Sequence, residues 1–272
     1  MSDHSDDSKM PLLDHLIELR DRLLWSTVAF VIAFFACYYF AAHIYAFLTH
    51  PLTVIFEEMG GNRRMIYTAL TEAFFTYVKV AAFTAAFICF PVFLSQIWAF
   101  VAPGLYRHEK KAFMPFLFAT PILFTMGGAL VYYFVIPLAW RFLLGFEQPA
   151  IDGGMPIQLE AKVGEYLSLV MKLIFAFGIS FELPVLLTLM ARVGMVSSEG
   201  LKEKRRYAVV MIFVAAAVLT PPDVISQIGL AIPLMILYEI SIISCRMVEK
   251  KRKEMENGDD DGAIEETDFN TK

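Results

Sequence analysis

The chain has little of what covalent or metal chemistry requires. Its 272 residues include three cysteines and five histidines. Cys37, Cys89 and Cys245 lie inside apolar stretches, unpaired in spacing and too few for a disulfide framework or a zinc site. No HExxH zinc motif is present. Ser180 sits in GISF without the second glycine of an intramembrane serine site, and Glu57-Glu58 have no membrane-embedded histidines beside them. An enzyme is not expected, nor a metal or cofactor. Charge is sparse too, at 19% of residues. The net charge of −5 comes from the acids after residue 253, and without them the rest is slightly basic. Nucleic acid is therefore not implied as a partner. A cleavable leader is not expected, because the start is acidic (Asp3, Asp6, Asp7) and the first apolar run is full length.

What the chain has in quantity is apolar sequence. A hydrophobic content of 57% and a mean hydropathy of +0.57 indicate an all-α polytopic membrane protein. Residues 1–10 are polar and are expected as a disordered tail. In PLLDHLIELRDRLL, Leu13, Leu16, Ile17 and Leu24 share one helical face, while Asp14, Glu18 and Arg22 fall at i, i+4, i+8 on another. That suits a helix lying in the membrane interface before it enters the bilayer. Residues 23–42 carry no charge, and at 1.5 Å per residue they cross a core of about 30 Å.

Further spans are predicted at 73–101, 112–140, 166–190, 207–219 and 224–244, within a transmembrane domain of residues 11–247. A basic-then-acidic disordered tail follows at 248–272. Residues 43–72, with Pro51 and Gly60-Gly61, are expected as an extramembrane segment. Pro115, Pro121, Gly127-Gly128 and Pro137 predict a kinked third span, and FELP at 181–184 predicts an interruption of the fourth. The fifth run reaches only roughly 20 Å, so the last two spans form a short hairpin that thins the bilayer or admits water.

Six spans put both ends on one side. Arg20, Arg22, Arg107, Lys110, Lys111, Arg192, Lys202, Lys204, Arg205, Arg206 and the cluster at 246–253 fall with the termini. Arg63, Arg64, Arg141 and Lys162 fall opposite, so the positive-inside rule makes both termini cytoplasmic.

Three acids attract functional readings. Glu109 follows a Pro-Gly break and sits among Arg107, His108, Lys110 and Lys111, so it is either a balanced loop charge or a receptor for an incoming cation. Glu18 is either an i,i+4 partner for Arg22, worth a few tenths of a kcal/mol, or a second such receptor. Two carboxylates beside spans on one side could take two guanidinium forks, and that geometry favours arginine over lysine. Glu182 lies at membrane depth among apolar residues, where an acid is either an inter-helix or functional contact or an internal bond that fixes packing. Gln227 and Glu239 pose the same question less sharply. An ion-coupled secondary transporter using Glu182 as proton carrier is the alternative, although no half-to-half repeat supports it.

Four motifs converge. HLIELRDRL at 15–23, WAFVAPGLYRHEK at 98–110, FGISFELP ending at Pro184 and LTPPDVISQ at 219–227 resemble TatC, the multi-pass subunit of the twin-arginine protein translocase. The resemblance implies a bacterial inner-membrane receptor for twin-arginine signal peptides on folded cargo. It also implies single-span TatA and TatB partners, an oligomeric receptor complex and transport driven by the proton-motive force. By the resemblance, Glu18 and Glu109 match the two acids that recognise the arginine pair, and Arg20 the basic residue beside the first. Glu182 matches the intramembrane acid that meets a partner helix, and Thr220 and Gln227 fall at a polar partner contact. Asp223 matches the turn acid and Pro51 the outer-loop proline of HPL. Leu70 departs from the pattern where a proline is common, implying a small change in outer-loop geometry.

Overall fold

Long apolar runs with few breakers yield long helices, ten of which order the described residues of the computed structural model. The structure describes residues 12–60, 63–101, 110–148, 155, 157–220 and 224–268. In chain order the helices are α1 (Leu12–Tyr39), α2 (Ala41–Met59), α3 (Glu72–Val101), α4 (Lys110–Leu130), α5 (Ile136–Leu144), α6 (Val163–Phe181), α7 (Leu183–Arg192), α8 (Ser198–Glu203), α9 (Arg205–Leu219) and α10 (Val224–Asp268). A π-helical turn, Val131–Val135, joins α4 to α5. Two isolated bridges, Ile66 with Lys162 and Gln148 with Ile157, are the β pairing among the described residues. Five segments are long and apolar enough to cross a membrane: His15–Tyr39, Glu72–Ile97, Phe118–Leu144, Val163–Arg192 and Gln227–Lys251. Outward-facing Trp25, Ile32, Phe35, Phe134 and Val218 suit a lipid solvent, where exposed apolar side chains cost nothing. The chain divides into two compact units, residues 1–121 with 160–171, and residues 122–159 with 172–272.

In the first unit α1 packs along α3, and Ala81 and Ala85 of α3 are fully buried against Cys37. Alanines let two backbones approach closely where no hydrophobic force separates helix from lipid. Much of the segment expected as extramembrane is the helix α2, which is not among the five crossing segments, with Leu48, Pro51, Leu52 and Ile55 buried on one face. Pro51 therefore sits inside a helix and not in a loop. It cannot bond the Phe47 carbonyl. Nearby hydroxyls serve this stretch of backbone: Thr49 Oγ1 donates to the Tyr45 carbonyl at 2.9 Å, and the Tyr166 hydroxyl to that of Leu48 at 3.0 Å.

In the second unit α4 and α6 cross at glycines. A Cβ on Gly127 would stand 2.6 Å from the Phe177 carbonyl oxygen, and one on Gly178 would stand 2.5 Å from the Phe124 ring. Where a kink is expected in the third span, a π turn stands just ahead of Pro137, whose missing N–H leaves the Tyr133 carbonyl to be accommodated. The fourth span is interrupted where FELP predicts, with Glu182 between α6 and α7 and Pro184 in the first turn of α7. α9 has 15 residues, about 22 Å, and is too short to count among the five crossing segments. α10 continues as helix to Asp268, so the residues expected as a tail from 248 are helical up to that point. Lys, Arg, Met and Glu, strong helix formers, dominate its first charged turns. Arg205 pairs with Glu239 at 2.7 Å, and the Glu249 carboxylate accepts from the backbone N–H and hydroxyl of Ser198, tying α8 and α9 to α10.

Candidate functional site

Helical spacing assembles the site at the start of α1. His15, Glu18 and Arg22 fall at i, i+3 and i+7 on one face, which turns toward the last turns of α3. The His15 ring stacks on Phe100 with centroids 4.1 Å apart and planes 13° from parallel. Arg22 donates through Nη2 and Nε to the same Glu18 oxygen, Oε1, at 2.6 and 3.0 Å, while its Nη1 donates to Gln96 Oε1 at 3.2 Å. The guanidinium is thus shared between the carboxylate and an amide on the neighbouring helix.

That arrangement leaves the carboxylate half used. Among the described residues, Glu18 Oε2 is shielded from solvent and accepts no hydrogen bond, and His15 Nδ1 stands 3.8 Å from it. An open depression of about 490 Å³ adjoins it, lined by Ile17, Glu18, Asp21, Arg22, Trp25 and Gln96. The own-chain pair is weak. Glu18 and Arg22 are 24% and 26% exposed, and an i,i+4 pair contributes about 0.3–0.5 kcal/mol. A carboxylate oxygen without a donor is worth more to an arriving charged donor, about 1.5–3 kcal/mol per charge-assisted bond. The chemistry favoured is capture of a guanidinium or ammonium group from outside the chain.

The other sequence-selected residues are placed as follows. Arg20 is 64% exposed and pairs with Asp21 at 2.6 Å, beside the depression and without a bond to Glu18. Glu109 lies outside the described residues, nine positions after Phe100, as does Asp223. Glu182 occupies the turn between α6 and α7, where its N–H donates to the Ile179 carbonyl at 3.0 Å and its carbonyl accepts from Leu186 at 2.8 Å. Thr220 is buried at the end of α9, its hydroxyl donating to the Ala216 carbonyl at 2.9 Å. Gln227 reaches back from α10 to the Phe213 carbonyl at 3.2 Å, three residues along α9 from Ala216, so Thr220 and Gln227 serve one end of the same hairpin. Pro51 is in the buried face of α2.

Sequence reasoning missed Gln96 and Glu72. Gln96 had no signal beyond being a polar residue late in an apolar run. Glu72, in the first turn of α3, accepts from the backbone N–H groups of Thr68 (2.9 Å), Ala69 (3.4 Å) and Gly164 (3.1 Å). It thereby ties the α2–α3 connection to the start of α6. A Cβ at Gly164 would stand 2.9 Å from Glu72 Oε1, so any larger residue there obliges the Glu72 carboxylate to shift.

Comparison with known proteins follows the same direction. Residues 14–233 match the family model described as TatC, Sec-independent protein translocase protein. The chain is 53% identical over 250 residues to the Sec-independent protein translocase protein TatC of Magnetococcus marinus, covering 92% of this chain and 89% of that one. It is 40% identical over 246 residues to its counterpart in Escherichia coli K12, covering 90% and 92%. A crystal structure described as the twin arginine translocase receptor TatC superposes with a TM-score of 0.72 at 37% identity, covering 86% of this chain and 99% of that one.

Proposed function

Because the chain belongs to the TatC family, a non-enzymatic membrane component of the Sec-independent protein translocase, we propose that it is the subunit that receives twin-arginine signal peptides of folded cargo. The observation that carries the reading is Glu18: a carboxylate with one oxygen unfilled among the described residues, held by the Arg22 side chain, beside an open depression. An incoming arginine takes Oε2 directly, or displaces Arg22, which keeps its second partner Gln96 and is not left stranded. Glu109, which precedes α4 in the chain, takes the second arginine of the pair. Arg20 and Asp21 stand at the rim and set the local charge.

The distribution of lysine and arginine supports a cytoplasmic position for this face and both termini, and the short α9, counted with the five longer segments, supports six spans of a bacterial inner membrane. Single-span TatA- and TatB-type partners dock through Glu182, Thr220 and Gln227, where an interrupted helix and a short hairpin give polar groups access at membrane depth. Transport draws on the proton-motive force, and the receptor works as an oligomer. The test is the affinity of the full chain in lipid nanodiscs for a fluorescent twin-arginine signal peptide. Glu18→Ala and Glu109→Ala lose capture while the protein still inserts; undiminished binding by both variants contradicts the reading.

A further inference from the structure

A second pocket lies elsewhere in the first unit, between the second half of α2 and residues 63–65 that follow it. Its cavity is about 260 Å³. The floor is apolar and fixed, formed by Leu52 and by Thr49, both nearly fully buried. The rim carries two adjacent guanidinium groups, Arg63 and Arg64, against one carboxylate, Glu57. Arg63 is held in place: its Nε donates to the Gly60 carbonyl at 3.3 Å, and its Cζ lies 5.6 Å from the centre of the Phe56 ring. Arg64 is exposed and, among the described residues, forms no ion pair.

The surroundings define the ligand. The apolar run of α3 starts directly after Glu72, and Phe74 and Phe75 are already exposed to the surrounding medium. Tyr67 is exposed in the preceding connection, and Tyr45 and Tyr77 face each other at 5.8 Å, the residue type that collects at headgroup level. The pocket therefore opens at the membrane boundary. It lies on the side opposite the termini, where the positive-inside bias selects against paired arginines; this clause rests on the orientation proposed above. Two forked cations above an apolar floor suit a phosphate with an apolar continuation better than a carboxylate on a flexible peptide.

We propose that Arg63 and Arg64 bind the phosphate of an anionic phospholipid in the leaflet opposite the termini, with Phe56 and Leu52 beneath its glycerol. The bound lipid would anchor the α2–α3 connection to the membrane surface. Arg63 is the preorganised half of the fork, and Arg64 closes over the second face of the phosphate.

The test is native mass spectrometry of the full chain, in detergent supplemented with short-chain phosphatidylglycerol, a phosphate-free monoglucosyl diacylglycerol or inorganic phosphate. The chain should retain one phosphatidylglycerol molecule, and the double variant R63Q/R64Q should retain it about tenfold less well. Thr53→Trp, which fills the cavity without changing charge, should lose it to a similar extent and decides the question if the double variant does not fold. Arg141→Gln, with a single charge removed elsewhere, should retain it. Equal retention by all variants overturns the proposal, as does equal retention of the glycolipid. Inorganic phosphate binding as tightly as the lipid overturns the lipid assignment. The readout involves no signal peptide, so failure of the receptor reading at Glu18 leaves it unchanged.

Discussion

Glu18 and Glu72 lie in the same compact unit, on α1 and α3, and their carboxylates are treated in opposite ways. Glu72 is saturated by fixed donors: three backbone N–H groups converge on it, one from 92 residues further along the chain. Among the described residues, Glu18 has one side-chain partner, Arg22, on one oxygen and no donor on the other. Backbone donors cannot swing away, whereas an arginine side chain can, so the first carboxylate is a joint and the second, in the function proposed above, is a socket. The contrast separates the two roles more sharply than charge or burial does, since both groups are partly exposed acids at the ends of apolar helices.

The contrast can be broken in several ways. Glu18→Ala should weaken signal-peptide binding at least about 30-fold, the loss of one or two charge-assisted bonds, with the melting temperature unchanged in a thermal unfolding assay. Glu72→Ala should do the reverse, lowering the melting temperature while peptide affinity per folded molecule holds. Gly164→Ala should mimic it, because the added methyl collides with the carboxylate that Glu72 offers. Replacing the peptide's arginine pair with lysines should cost about tenfold in affinity, since an ammonium cannot fork. The smallest effect is Arg22→Gln. Removing a competitor worth about 0.3–0.5 kcal/mol should tighten peptide binding about twofold in the same titration.

The apolar runs made most of the helical framework legible, including the break at Phe181–Pro184 and the shortness of α9. The Glu18–Arg22 pair was legible from its i,i+4 spacing. α2 was lost to Pro51 and Gly60-Gly61, which read as an extramembrane segment without a helix, although Ala41, Leu48, Leu52 and Ile55 already carried helical periodicity. The kink in the third span was expected from its prolines and glycines. The glycines instead serve a helix crossing, and the π turn absorbs the proline defect. Gln96 and Glu72 were invisible for a common reason. Their partners, Arg22 and Gly164, are 74 and 92 residues away, and no local pattern encodes such a meeting.

The most direct measurement of the socket is a double-mutant cycle between Glu18→Ala in the full chain and substitution by glutamine of each arginine in the signal peptide's pair, read as binding free energies in nanodiscs. Coupling of at least about 1 kcal/mol with one of the two arginines is the predicted result. Additive losses at both, with no coupling to either arginine, would show that Glu18 does not receive the peptide.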